Sequence, residues 1–191
     1  MDVLCTDKTG TLTENRLTLA QARPIAARSA DELLRLAAMA SDPATQDPID
    51  MAILASANTQ GSEYRGADRL GFEPFDPATR YAVGHYRDVG RELWVAKGAP
   101  SAICALIAQP PEIAALSEEL AAGGNRVLAV ASGPSRDGLT MAGLITLDDP
   151  PRADSADLVA GLQALGVRVI MVTGDNAATA RHVAAQVGID G

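Results

Sequence analysis

The sequence has few of the features that mark a secreted or nucleic-acid-binding chain. Its 191 residues include two cysteines and 3% aromatic residues, and its net charge is −8. Cys5 and Cys104 lie in apolar stretches and have neither metal-ligand nor redox spacing, so we expect buried, reduced thiols. Because phosphate backbones bind clustered Lys and Arg side chains, the acidic balance argues against a nucleic-acid partner.

Long apolar runs are also missing. Residues 103–108 and 167–172, the second broken by Arg168, are among the longest, and both are far shorter than the ~20 residues that a spanning helix needs. The opening residues 1–4 lack a charged and then apolar leader, which predicts no signal peptide. The chain is nevertheless 47% hydrophobic, enough to bury the cores of one or two globular domains.

The two ends of the chain have the strand and helix alternation that is typical of a parallel α/β sheet. A buried strand is predicted at residues 1–6. A helix at 154–165, a strand at 167–172 and a helix ending at Gly188 are predicted near the other end. Because the two ends share this pattern, we predict one discontinuous α/β domain, formed by residues 1–20 and 146–191.

Residues 21–145 are predicted to form an inserted α+β domain. Ser29 opens a helix with a capping-box pattern, and Asp47 precedes a second helix that has proline at its first position. Alternating residues at 81–86 and 92–96 flank a short turn, which predicts an antiparallel hairpin. Further helices are predicted at 100–108 and 111–122, and further strands at 126–132 and 139–147.

The run Asp7-Lys8-Thr9-Gly10-Thr11-Leu12-Thr13 directly follows the first predicted strand. A carboxylate attacks a phosphoryl group only when cations and backbone N–H donors neutralise the phosphate oxygens. Lys8, the amides of Thr9 to Thr11 and a metal ion could do this. A turn capped by Asp7 is the alternative, but a motif of this length behind a strand favours a covalent phosphate site.

This run resembles the phosphorylation motif of the P-type ATPases, cation pumps built on the haloacid dehalogenase fold. The resemblance implies that ATP phosphorylates Asp7, and that the Asp7 carboxylate and the Thr9 carbonyl bind Mg²⁺. It also implies a Rossmann-like phosphorylation domain, incomplete here, with an inserted nucleotide-binding domain. Many members of the superfamily have a second Asp where this chain has Thr9, so loss of that acid implies slow hydrolysis of the phosphoenzyme.

Thr173-Gly174-Asp175 follows a predicted strand and opens a helix, where backbone N–H groups favour an anion. The resemblance implies that Thr173 and Gly174 contact the transferred phosphoryl group and that Asp175 organises the site. The segment 149–152, Asp-Pro-Pro-Arg, matches the family's hinge, although an ordinary loop would explain its prolines nearly as well.

The inserted domain has matches to the family's nucleotide site. Lys97 and Gly98 match its nucleotide-binding motif, and Phe75 matches the aromatic residue on which adenine stacks. The alternative for Phe75 is a core position. Arg80 falls where relatives have a cation.

Asp50 and Arg126 complete the predicted nucleotide site. Asp50 matches an acidic residue that meets the adenine amino group, or it is a carboxylate that stabilises the first turn of a helix. Arg126 matches an arginine near the nucleotide phosphates, or it forms a structural salt bridge.

The resemblance therefore implies the soluble, cytoplasmic part of a membrane ATPase that uses ATP and Mg²⁺ to transport a cation. The blocks at 47–50, 74–77 and 148–152 look most like proton pumps, and a calcium, magnesium or potassium pump stays open. Since the family's remaining metal-site motif would follow Gly191, the chain alone is expected to turn over ATP poorly. A soluble phosphatase of the superfamily and a non-catalytic nucleotide-binding module are the alternatives.

Overall fold

The computed structural model describes residues 2–59, 67–122, 124–174 and 177–189. Two sheets form the framework. The smaller is parallel and pairs β1 (Val3–Asp7) with β8 (Arg168–Val172). The larger is antiparallel and has six strands, in the spatial order β2 (Thr18–Pro24), β7 (Thr140–Asp148), β6 (Arg126–Gly133), β5 (Arg91–Gly98), β4 (Tyr81–Asp88) and β3 (Ala67–Asp76).

Helices cover both faces of the large sheet. One face packs against α1 (Ala30–Met39) and α2 (Pro48–Thr59), and the other against α3 (Pro100–Leu106) and α4 (Ala114–Ala122). The small sheet packs against α5 (Ser155–Ala164) and α6 (Ala177–Gln186). The predicted fold class, an α/β unit with an inserted α+β unit that contains an antiparallel sheet, is confirmed.

The local signals in the sequence produced the elements that they predicted. Ser29 Oγ accepts the Glu32 N–H at 3.1 Å, and the Glu32 carboxylate accepts the Arg28 N–H at 2.6 Å, one residue earlier than in a standard capping box. The predicted hairpin is β4 and β5. Its turn, Val89-Gly90, has φ angles of 47° and 76°, as a tight turn between twisted strands requires.

The structure corrects the expectation for Cys5 and adds two observations to the sequence predictions. β3 was not predicted, because Gly71 and Pro74 interrupt any regular alternation of apolar residues. The predicted domain bounds at residues 20 and 145 fall inside β2 and β7, which pair with each other. The division into three segments stays a prediction. Cys5 is exposed and Cys104 is only half-buried, so Cys5 is not the buried thiol that its apolar neighbours indicated.

Two connections join the sheets, and they run side by side. Thr13 pairs with Pro151, and the Arg152 N–H donates to the Leu12 carbonyl at 2.9 Å. The Asp149 carboxylate accepts the Thr13 hydroxyl at 2.6 Å and the Arg16 N–H at 3.1 Å. The segment predicted to be a hinge is thus hydrogen-bonded to the loop that follows Asp7.

Candidate active site

The parallel pairing of β1 with β8 sets up one half of the candidate site. Asp7 is the last residue of β1 and lies opposite Val172, so Thr173 and Gly174 follow at the same edge of the sheet. The carboxyl ends of parallel strands are where α/β proteins bind ligands. The structure therefore places Asp7, Thr173 and Gly174 at one edge of the small sheet, and their roles in a phosphoryl site stay predictions. Asp175 lies outside the described residues.

The turn after Asp7 is wide and is closed by hydrogen bonds. Asp7 Oδ1 accepts the Lys8 N–H at 2.8 Å, which fixes the orientation of an otherwise exposed carboxylate. Gly10 has φ 78°, a conformation that glycine adopts without strain. Its N–H donates to Thr13 Oγ1 at 3.3 Å. The Gly10 amide, one of those expected to face a phosphate, is thus already engaged within the turn.

Lys8 and Thr9 take different positions in this turn. Lys8 is 7% exposed, whereas Thr9 is exposed. The Asp7 carboxylate and the Thr9 carbonyl are hard oxygen donors of the kind that Mg²⁺ prefers. Within the described ranges, no three His, Cys, Asp or Glu residues form a group that could hold a metal ion. The Asp7 carboxylate and the Thr9 carbonyl therefore fit part of a magnesium site.

Lys97 is the centre of the second half of the site. It is 4% exposed, its ammonium forms an ion pair with Asp50 Oδ1, and it also donates to Ser41 Oγ at 2.5 Å. Burial lowers the pKa of Lys97, and the Asp50 carboxylate opposes that shift. The two residues are 47 positions apart, so the sequence motifs could not reveal the pair.

Asp50 lies in the first turn of α2, as one of its two sequence interpretations has it, and its carboxylate makes further contacts there. Its second oxygen, Oδ2, accepts the Asp42 N–H at 2.9 Å, and the residue is only 7% exposed. Asp42 in turn forms an ion pair with Arg69 at 2.7 Å, which holds the pKa of the Asp42 carboxyl below its usual range. Ser41 and Asp42 could not be found from the sequence, because no local pattern distinguishes them from ordinary residues after a helix.

Phe75 is not a core residue. It is 54% exposed and lies next to Asp76, which pairs with Tyr81 at the start of β4. Lys97 pairs with Ala82, the next residue of β4. The register of β3 against β4 shifts between Glu73 and Asp76, so strand alternation does not assign a face to Phe75, which lies at the same end of the sheet as Lys97. An exposed ring there fits a stacking platform better than a packing role.

Arg80 and Gly98 meet at this end of the sheet. Arg80 has φ 64°, and its guanidinium donates to Ser101 Oγ at 3.3 Å. A Cβ atom on Gly98 would lie 2.3 Å from the Arg80 carbonyl oxygen and 2.6 Å from Tyr81 Cβ. The close approach of the β3–β4 turn therefore explains why position 98 is glycine, and no ligand is needed for that explanation.

Arg126 opens β6 and is exposed. Within the described part of the chain it forms no ion pair, so its salt-bridge interpretation is not supported. β6 is antiparallel to β5, and Gly98 pairs with Ala129. Arg126 therefore lies beyond the end of β5, at the same end of the sheet as Lys97.

One end of the large sheet thus holds all the described residues that were predicted to bind nucleotide. The same end contains the first residue of β2, Thr18, and the last of β7, Asp148, whose side chains share a 2.7 Å hydrogen bond. The chain passes from these two residues to the small sheet. The candidate nucleotide residues and the connections that lead to Asp7 therefore lie at the same end of the large sheet.

The ion pair gives a prediction about pH. In Asp50→Asn, Lys97 keeps its burial and loses its carboxylate, so its folded pKa falls further below 10.5. At pH values between this lowered pKa and the pKa of Lys97 in the unfolded chain, the unfolded chain binds more protons than the folded chain. The free energy of unfolding should therefore rise with pH, by up to ~1.4 kcal/mol per pH unit. At pH 7 the variant should be about 3–5 kcal/mol less stable than wild type.

Urea unfolding from pH 7 to 10 measures both effects. Asp31→Asn, an exposed acidic position in α1, serves as the control and should change the free energy of unfolding little at any pH. If Asp50→Asn were as stable as wild type across this range, the ion pair would not be buried in solution.

Comparison with known proteins identifies the family. The family of haloacid dehalogenase-like hydrolases matches residues 1–191, the whole length of this chain. The chain belongs to that family. The sequence is 31% identical over 201 residues to a plasma membrane ATPase of Dunaliella bioculata. It is 37% identical over 196 residues to an ATPase of Methanocaldococcus jannaschii whose name assigns it to cation transport. The resemblance inferred from Asp7 to Thr13 is therefore confirmed.

Solved structures agree with this membership. The crystal structure of a zinc-transporting PIB-type ATPase matches 99% of the chain with a TM-score of 0.73 and 26% identity. The chain spans only 28% of that structure, and 18% and 24% of the two sequence relatives. Across the described residues, no helix has both the length and the apolar character needed to cross a membrane.

Proposed function

We propose that this haloacid dehalogenase-like hydrolase chain is the ATP-binding and phosphorylation region of a P-type ATPase. The observation that carries the proposal is the arrangement of the two half-sites. The exposed Asp7 carboxylate ends β1, and the exposed Phe75 ring lies at the end of the large sheet from which both connections lead toward Asp7. A nucleotide stacked on Phe75 would extend its phosphates toward that carboxylate.

In the proposed reaction, an Asp7 carboxylate oxygen attacks the γ-phosphorus of ATP. The bond between the γ-phosphorus and the bridging oxygen breaks, and ADP leaves. Oδ1 accepts the Lys8 N–H, so Oδ2 is the oxygen that is free to attack the phosphorus. Asp7 and the Thr9 carbonyl would hold Mg²⁺, which, when bound, supplies charge neutralisation for the phosphate oxygens.

Thr173 and Gly174 are proposed to contact the transferred phosphoryl group, with Asp175 organising that side of the site. Phe75, Lys97 and Arg126 are proposed nucleotide contacts, and Arg80 and Gly98 shape the same end of the sheet. Asp50 is proposed to act on the nucleotide through Lys97, because both of its oxygens already accept hydrogen bonds within the chain.

The cation is proposed to be a proton, and the whole protein a membrane ATPase whose segment described here lies on the cytoplasmic side. Names among its relatives support this choice, since several are plasma membrane or proton ATPases. The zinc-transporting structural match keeps a metal ion as the competing cargo.

Reconstitution of the complete gene product in vesicles tests the proposal. We expect ATP with Mg²⁺ to acidify the vesicle lumen, as reported by a pH-sensitive dye, with no effect of added zinc on the rate of ATP hydrolysis. Zinc-stimulated hydrolysis without acidification would replace the proton by a metal ion. Hydrolysis of simple phosphomonoesters at a rate above that of ATP would favour a phosphatase.

A further inference from the structure

The Lys97 ammonium lies among side chains from three elements. Lys97 is in β5, Asp50 is in the first turn of α2, and Ser41 follows the end of α1. Their exposed fractions are 4%, 7% and 0%. Such a group costs free energy to desolvate, and replacing a buried ion pair with apolar residues is often neutral or stabilising. Stability is therefore a weak explanation for the cluster.

Ser41 is oriented by α1. Its hydroxyl donates its single hydrogen to the Ala37 carbonyl at 2.9 Å, which leaves its lone pairs to accept from Lys97 Nζ at 2.5 Å. The serine can therefore act toward Lys97 only as an acceptor. Because Ala37 is buried within α1, this acceptor has a fixed position.

Asp50 is fixed in a comparable way. Oδ1 accepts from Lys97, and Oδ2 accepts from the Asp42 backbone at 2.9 Å. An ammonium has three N–H donors. Two N–H donors of the Lys97 ammonium are used by Ser41 and Asp50. Within the described ranges, its third N–H donor has no acceptor. The two fixed acceptors thus determine the direction of the one remaining donor.

We propose that Ser41 and Asp50 are positioning residues that hold the Lys97 ammonium so that its third N–H meets the bound nucleotide. The inference rests on the proposed function, because it takes Lys97 as a nucleotide contact. It adds Ser41 to the site and assigns to Asp50 a role through Lys97. Negative charge near the ammonium also comes from Asp47, and Asp42 is one step further away, paired with Arg69.

Calorimetric titration of the chain with ATP tests the binding role. Ser41→Ala should weaken ATP binding by about fivefold to tenfold, the effect of one hydrogen bond. The comparison background carries Lys97→Met with Asp50→Asn, so that no unpaired charge stays buried. There, Ser41→Ala should have no further effect. Ser117→Ala, a half-buried serine of α4 on the opposite face of the sheet, should leave ATP affinity unchanged.

The titration of Lys97 gives a second readout that needs no nucleotide. In the chain with ¹³C-labelled lysine, Ser41→Ala should lower the pKa of Lys97, because the charged form loses an acceptor. Ser41→Thr, which keeps the hydroxyl, should restore the wild-type titration. The control variant Ser117→Ala should leave the pKa of Lys97 unchanged.

The outcomes separate this inference from the proposed function. An unchanged Lys97 titration in Ser41→Ala overturns the positioning role. So does an equal loss of ATP affinity in both backgrounds, or no loss in either. Absence of ATP binding by the wild-type chain overturns the proposed function instead, and the Lys97 titration would still decide whether Ser41 positions the ammonium.

Discussion

Asp7→Asn is expected to abolish phosphorylation of the complete gene product by ATP. The substitution keeps an oxygen that can accept the Lys8 N–H, so the turn after β1 should survive. It removes the nucleophile, because a neutral amide does not displace ADP from phosphorus. Radioactive label from γ-labelled ATP, stable in acid and released by hydroxylamine, should fall to background.

Asp2→Asn is the matched control, since Asp2 is an exposed carboxylate just before the same strand. The Asp2→Asn protein should incorporate as much label as wild type. The affinity for ATP in Asp7→Asn should be unchanged or higher, because one negative charge near the phosphates is gone. Retention of hydroxylamine-labile label in Asp7→Asn would assign the phosphoenzyme to another residue.

Phe75→Ala is expected to remove most of the affinity of the chain for ATP. Stacking of a base on an aromatic ring contributes roughly 1–3 kcal/mol, which corresponds to about fivefold to 150-fold in affinity. The ring is 54% exposed, so its removal leaves little cavity, and the free energy of unfolding should change by less than about 1 kcal/mol. Calorimetry and urea unfolding measure the two quantities separately.

Leu70→Ala is the control for this variant, because Leu70 is an apolar, 42% exposed residue of the same strand. It should bind ATP like wild type. Phe75→Trp should retain affinity, since it keeps an aromatic face. Equal losses in Phe75→Ala and Leu70→Ala would indicate a general effect on β3 and would contradict stacking.

The sequence predicted well where structure is decided locally. Ser29 and Glu32 form helix caps within a few residues, and Val89-Gly90 forms its turn from its own backbone conformation. Predictions were poorer where distant strands decide the outcome. β3 exists because β4 supplies its hydrogen bonds, and Cys5 is exposed although its neighbours in sequence are apolar.

The candidate site divides in the same way. The motif from Asp7 to Thr13 was sufficient to indicate the family, and the strand before it was sufficient to place Asp7 at a strand end. The sequence could not reveal that Asp50 and Lys97 meet each other. It gave no signal for Ser41, and it offered a ligand as the reason for Gly98 where the Arg80 carbonyl supplies one.

The sequence by itself thus determined the strands and helices with strong local signals, the nucleophile candidate and the family. Only the tertiary structure decided which side chains share the buried cluster at Lys97, and that Phe75 is exposed at the same end of the sheet. The physical reason is range. Caps, turns and strand ends depend on residues a few positions apart, whereas the desolvation of Lys97 depends on α1, α2 and β5 packing together across 56 positions of sequence.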